Sequence, residues 1–155
     1  SVEAVIFVGT YQPFSRLINQ AHQAGIKPLF TSFSFIASQR VYSRLKHPSK
    51  VMISEVMPDP ALCQWQLCKD FIVDMNKAGV TDVNRVHLEG YLNAYIFSQV
   101  AKKCATELSQ RCLFINFESL SLKDNGLDVN FSPENHQGLQ QIFLSFSDAA
   151  KIYNK

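Results

Sequence analysis

Glu89 is the carboxylate whose setting stands out, because the run around it, Leu88-Glu89-Gly90-Tyr91-Leu92-Asn93-Ala94-Tyr95-Ile96-Phe97, is mostly apolar. A carboxyl group in apolar surroundings can act as a general acid or base. Nothing near it in the sequence supplies a partner for proton transfer, and a Glu on the one solvated stripe of a buried helix would look the same. The histidines His22, His47, His87 and His136 are scattered, with no His-x-x-x-His pair, and the cysteines form no Cys-x-x-Cys. A metal grid is not expected. Gly-x-Gly-x-x-Gly, Gly-x-x-x-x-Gly-Lys-[Ser/Thr] and Gly-x-Ser-x-Gly are all missing, so neither a cofactor, a phosphate cradle nor a nucleophile elbow is expected. An enzyme using Glu89 or His136 ranks last among the functional readings.

Cys63, Cys68, Cys104 and Cys112 read first as small buried apolar side chains. In an exported protein Cys104 with Cys112 is the better disulfide pair, because a helix break can fall between them. Cys63 and Cys68 are five apart on an expected helix and so point to different faces.

A second group of residues suits binding rather than catalysis. Thr10 and Tyr11 follow one apolar strand; Ser32, Phe33, Ser34 and Phe35 end and follow the next. In open parallel sheets ligands lie beyond the carboxyl ends of the strands. Aromatic rings and hydroxyls there make a pocket with apolar walls and a few hydrogen-bonding groups.

The elements that must position these residues follow from periodicity. Ala4–Val8 is an unbroken apolar run, read as a strand buried on both faces. Phe14, Leu17, Ile18, Ala21 and Ala24 follow at helical spacing and Gly25 ends the helix. Pro28–Phe33 is a second strand, a helix lies within Ser34–Leu45, and Lys50–Met57 is a third strand. This is a parallel βαβαβ order. After Pro58-Asp59-Pro60 the pattern changes: helices are expected over Leu62–Ala78, Asn84–Ala105 and from about Thr106, the last with Leu108, Cys112 and Ile115 on one stripe. Leu127–Phe131 and Leu139–Phe146 are expected to form a hairpin with a long loop. Three helices and a hairpin after three strands fit two structural regions better than one. A chain that opens at once on a central buried strand reads as a piece of a longer one.

The 155 residues carry 15 basic and 13 acidic side chains, a net charge of +2, with 46% hydrophobic residues. This is a globular balance, too even to point to nucleic acid as a partner. No apolar run approaches the roughly 18 residues of a membrane-spanning helix.

Five segments in order resemble type I periplasmic solute-binding proteins of the leucine/isoleucine/valine-binding type that feed ABC importers. They are Val8-Gly9-Thr10-Tyr11-x-Pro13 with its helix and Ala24-Gly25; Ser32-Phe33 before a helix; Glu55-Val56-Met57-Pro58-Asp59-Pro60; Leu88-Glu89-Gly90-Tyr91-Leu92-Asn93-Ala94; and Val129-Asn130-Phe131-Ser132-Pro133-x-Asn135-His136-Gln137-Gly138. The resemblance implies a partial α/β fold of this type: residues 1–57 from lobe two, 58–143 from lobe one as helices and a hairpin, and 144–155 as the end of a crossing strand and a tail. It implies a missing N-terminal portion, a hinge at Met57 and Pro58, and a periplasmic or extracytoplasmic location. It further implies an interlobe cleft closing on a small molecule, with Thr10, Tyr11, Ser32, Phe33, Ser34 and Phe35 lining it, and a membrane permease as partner.

Amino-acid binders of this type place an acid just after the second strand to hold the ammonium. Here that stretch is Thr31-Ser32-Phe33-Ser34-Phe35, with no acid, which points to an amino-acid-like or apolar, aromatic carboxylate rather than a simple amino acid, or to a ligand whose ammonium is held from the missing portion. The alternative output of the same fold is the extracellular sensor of a signalling receptor. Faces left bare by a missing portion would favour self-association.

Overall fold

The computed structural model describes residues 2–104 and 108–148. These divide into two compact units: the described residues up to Val56 together with those from Ile142, and Met57–Gln141.

In the first unit, strands β1 (Ala4–Ile6), β2 (Leu29–Phe33) and β3 (Val51–Glu55) alternate with helix α1 (Tyr11–Gln23) and with a 3₁₀ turn (Ser34–Ile36) leading into the short helix α2 (Ser38–Tyr42). The strands lie side by side and parallel, with Ile6 opposite Thr31 and Ser32 opposite Ile53. Phe14 and Ile18 of α1, Ile36 and Val41 pack on Phe30, Val51 and Ile53 in one core. Both helical connections therefore cover the same face of the sheet. The Phe14 ring stacks on Phe7 at 4.8 Å and meets Phe30 edge-on. Asn19 ties α1 to the segment after α2, donating to the Arg44 carbonyl at 3.0 Å and accepting from the Lys46 amide at 2.9 Å.

The helix expected within 34–45 is α2, and it starts only at Ser38 because Ala37 adopts a left-handed conformation, φ 56°, at the junction with the 3₁₀ turn. β1 also departs from expectation. It is an edge strand with Ile6 exposed, not a strand buried on both faces.

A fourth strand completes this sheet. Of the segment Leu139–Phe146, expected to pair with Leu127–Phe131, only Leu139 does so, bridging antiparallel to Val129; the rest yields β6 (Phe143–Phe146), which runs antiparallel to β3 with Ile53 opposite Ser145. The sheet order is β1-β2-β3-β6. Hydroxyls fasten β6: Tyr42 donates to Ser145 at 2.9 Å, and Ser147 donates to the Ser49 carbonyl and accepts from the Val51 amide.

The second unit holds α3 (Gln66–Lys77), α4 (Arg85–Lys103), α5 (Gln110–Glu118) and a two-stranded ribbon, β4 (Ser121–Asp124) with β5 (Leu127–Asn130). The true hairpin turn is Asn125-Gly126, with φ of 36° and 101°. Asn-Gly accepts positive φ at both central positions and so suits a two-residue hairpin loop. The Asn-Gly dipeptide is the turn joining β4 to β5. The loop beyond β5 folds on itself: Asn130 donates its amide to the Gly138 carbonyl, and a Cβ at Gly138 would collide with the Phe131 ring.

Caps set the helix boundaries. Asn84 accepts from the amides of Val86 and His87, Ser109 from that of Cys112, and Asp124 from that of Leu67. Helix α4 buries one stripe, Leu88, Leu92, Ile96 and Val100, while Val86, Tyr95 and Phe97 are exposed. It is thus less enclosed than its composition suggests. Beyond its chain neighbours and its own helix backbone, no described atom lies within 4 Å of where a Gly90 Cβ would be, so no other backbone packs closely on this glycine among the described residues. In α5, Ile115 is exposed, as is Leu108 ahead of it, so the expected stripe is not a buried one. Thr106 and the tail after Asp148 lie outside the described residues.

Two disulfides close local loops, Cys63–Cys68 and Cys104–Cys112, with Cα separations of 6.0 and 5.8 Å. The first corrects the expectation that these two cysteines face apart. Helix α3 begins at Gln66, not Leu62, so Cys63 lies in the irregular stretch ahead of it and is free of helical geometry.

Candidate functional site

The carboxyl ends of β1 and β2 are neighbours, so the segments leaving them share one edge of the sheet. Thr10 is the residue before α1, extended at φ −93° and ψ 164°, and its hydroxyl makes no capping bond to the helix. It is exposed.

Tyr11, the first residue of α1, is half-buried and sits beneath two cations. The Arg44 and Arg40 guanidinium carbons lie 4.9 and 5.5 Å from its ring centroid, within cation–π range. Arg40 donates to the phenol oxygen at 3.5 Å. That hydrogen bond, reinforced by the charges of Arg40 and Arg44, lowers the phenol below its ordinary range. The sequence reading missed both arginines. The signal was their spacing of four residues beyond β2, which puts them on one helical face.

Ser32 is buried, and its hydroxyl donates to the Phe7 carbonyl at 2.9 Å. Its proton therefore belongs to the link between β1 and β2. Phe33 and Phe35 differ: they are 45% and 63% exposed, and their rings stack 6.3 Å apart at 22°. Ser34, between them, is half-buried and its carbonyl closes the 3₁₀ turn by accepting from the Ala37 amide. Of the six residues expected to line a site, the structure thus joins Phe33 to Phe35, engages Tyr11 with α2, and turns Ser32 inward. Met57 and Pro58 are buried, just beyond the boundary after Val56.

Two cavities of the first unit open elsewhere. One of about 380 Å³ is lined by Gln12, Ser15, Arg16, Asn19, Arg44 and Lys46. The other, about 350 Å³, lies among Tyr42, Leu45, Pro48, Ser49, Phe146, Ser147 and Asp148. Glu89 is exposed, and His136 is an exposed partner of Glu118 at 3.1 Å. Among the described residues no group of three or more His, Cys, Asp or Glu side chains could hold a metal ion, and no helix is long and apolar enough to cross a membrane.

No protein-family model matches the chain, and no curated protein matches it. Solved structures do. A possible leucine/isoleucine/valine-binding protein from Rhodopirellula baltica SH 1 aligns with a TM-score of 0.83 at 23% identity, over 92% of this chain and 39% of that one. A branched chain amino acid ABC transporter from Thermus thermophilus with bound valine aligns at 0.80 and 12% identity, over 97% and 44%. A fatty acid ABC transporter substrate-binding protein from Thermomonospora curvata aligns at 0.66 and 17% identity, over 97% and 45%. The fold is therefore that of the type I periplasmic binding proteins, in part. The chain spans between 39% and 45% of the length of these three structures.

Proposed function

We propose that the chain is the C-terminal portion of an extracytoplasmic solute-binding protein serving an ABC importer. Residues 1–57 belong to lobe two, 58–143 to lobe one, and 144–155 form the end of a crossing strand and the tail. Met57 and Pro58 lie at a hinge. No covalent chemistry is required: a ligand that touches both lobes only when they are closed shifts the open–closed equilibrium by its differential affinity. A membrane permease then reads the closed form.

The observation that carries this reading is the likeness of nearly the whole chain to proteins whose names state solute binding, at TM-scores up to 0.83. The exposed Phe33–Phe35 pair at the carboxyl end of β2 supports a ligand with an apolar or aromatic body, amino-acid-like or a simple carboxylate. The span Thr31–Phe35 offers no carboxylate to an ammonium. The two disulfides favour an oxidising compartment such as the periplasm.

Calorimetry on the polypeptide encoded by the complete reading frame tests the proposal, with leucine, isoleucine, valine, fatty acids and aromatic carboxylates as titrants. Binding of one class should weaken at least about tenfold in Phe33→Ala/Phe35→Ala, a loss of roughly 1.4 kcal/mol or more. Tight leucine binding untouched by those substitutions would refute the ligand class. No binding of any titrant would refute the function.

A further inference from the structure

The first unit is short of acids. Its described residues carry carboxylates only at Glu3, Glu55 and Asp148, against Arg16, Lys27, Arg40, Arg44, Lys46 and Lys50. Three of these cations meet at one place. The cavity of about 380 Å³ is bounded on one side by Gln12, Ser15, Arg16 and Asn19, which recur at helical spacing along α1. On the other side stand Arg44 and Lys46, in the segment between α2 and β3. None of those carboxylates lines it, and neither does Phe33 or Phe35. Among the described residues, Arg16, Arg44 and Lys46 pair with no acid, and their side chains donate no hydrogen bond.

The wall that carries two of these cations is fixed in place. Asn19 donates to the Arg44 carbonyl at 3.0 Å and accepts from the Lys46 amide at 2.9 Å, which fastens that backbone to α1. Phe14 and Ile18, both fully buried, fasten α1 in turn. The Arg44 guanidinium is held at its far end as well, 4.9 Å from the Tyr11 ring centroid, a contact that leaves its N–H fork without an acceptor. Side chains ordered before a ligand arrives lower the cost of binding it. Like charges gathered without a counter-charge repel one another. An anion seated among them removes that repulsion and fills the open donors.

The donors select the anion. One guanidinium fork satisfies a carboxylate through two parallel bonds. Two guanidiniums and an ammonium, carried at separate points of the chain, suit a group with three acceptor oxygens and close to two charges, which is a phosphate. We propose that the groove between α1 and the segment 44–46 is a second ligand site and that it takes a phosphate group. The source of that group is either a free phosphate or the headgroup of an anionic phospholipid.

The inference does not rest on the proposed function, and its probes are not the titrants used there, so the two can fail separately. Calorimetry at fixed ionic strength, on the polypeptide of the complete reading frame, takes inorganic phosphate as titrant. Co-sedimentation with phosphatidylcholine vesicles, with and without phosphatidylglycerol, reads the lipid source. At least one of these probes should bind, inorganic phosphate with a Kd below about 1 mM if the group is free. Arg16→Gln and Lys46→Gln, both at exposed positions, should each weaken that binding at least about tenfold, the loss of one charge-assisted hydrogen bond. Lys27→Gln removes a charge of the same unit that does not line the cavity, and should change binding by no more than about twofold. Phosphate binding without vesicle binding assigns the free source, and the reverse assigns the headgroup. Failure of both probes to bind would overturn the proposal. So would binding indifferent to Arg16→Gln and Lys46→Gln, and so would an equal loss in Lys27→Gln, since net charge alone would then be the attraction.

Discussion

The Ser32 hydroxyl donates to the Phe7 carbonyl at 2.9 Å and ties the carboxyl end of β2 to the segment leaving β1. The candidate binding edge is thus held by a side chain that the sequence offered as a ligand contact. Ser32→Ala removes the donor and leaves a carbonyl beside a buried position, which costs about 1–3 kcal/mol. Urea denaturation should show that loss. If the serine were there for the ligand alone, its removal would leave stability unchanged and affect only affinity.

Reduction separates the contributions of the two disulfides. In the loop-entropy account, closing the separations of five and eight residues is worth about 2 and about 2.5 kcal/mol respectively. Cys63→Ser/Cys68→Ser and Cys104→Ser/Cys112→Ser should each lower the denaturation midpoint, and dithiothreitol should lower that of the parent by more than either pair. A parent midpoint indifferent to reductant would contradict the pairing.

His22, in the last turn of α1, stacks on His47 with ring centroids 4.4 Å apart and planes 8° from parallel. Burial, with His47 and Lys27 nearby, lowers His22 below the ordinary value of 6.5. The folded state therefore holds this proton less tightly than the unfolded one. Its contribution to stability is complete above pH 6.5 and declines as pH falls toward the depressed value. Melting temperature should drop between pH 7.5 and 5, and less steeply in His22→Asn. Parallel slopes for the two proteins would exclude this residue as the cause.

Much of the first unit was legible because apolar runs and helical spacing are local signals. Phe14 and Ile18 announce their helix, and Leu29–Phe33 and Val51–Glu55 are strands in the order read. What was missed is non-local or depends on a boundary. Nothing local in Phe143–Phe146 says that it pairs with β3 rather than with Leu127–Phe131, and both pairings satisfy an apolar strand. Asn125-Gly126 carried a hairpin signal, but Ser121–Asp124 holds one strongly apolar residue and did not look like a strand. The Cys63–Cys68 bond depended on a helix start displaced from Leu62 to Gln66. At the candidate site the aromatic pair was readable, whereas the arginines over Tyr11 and the inward turn of Ser32 are tertiary facts.

The pairing of β3 with β6 has a consequence in time. The whole second unit is inserted between these two adjacent strands. A ribosome adding roughly 5–20 residues per second needs several seconds or more between releasing Glu55 and releasing Phe143. During that interval β3 presents an unpaired edge, and the second unit is complete before its neighbour in the chain can close. The sheet of the first unit is therefore finished only after the insert has been made, and its nascent edge is exposed to other chains for as long as synthesis of the insert lasts.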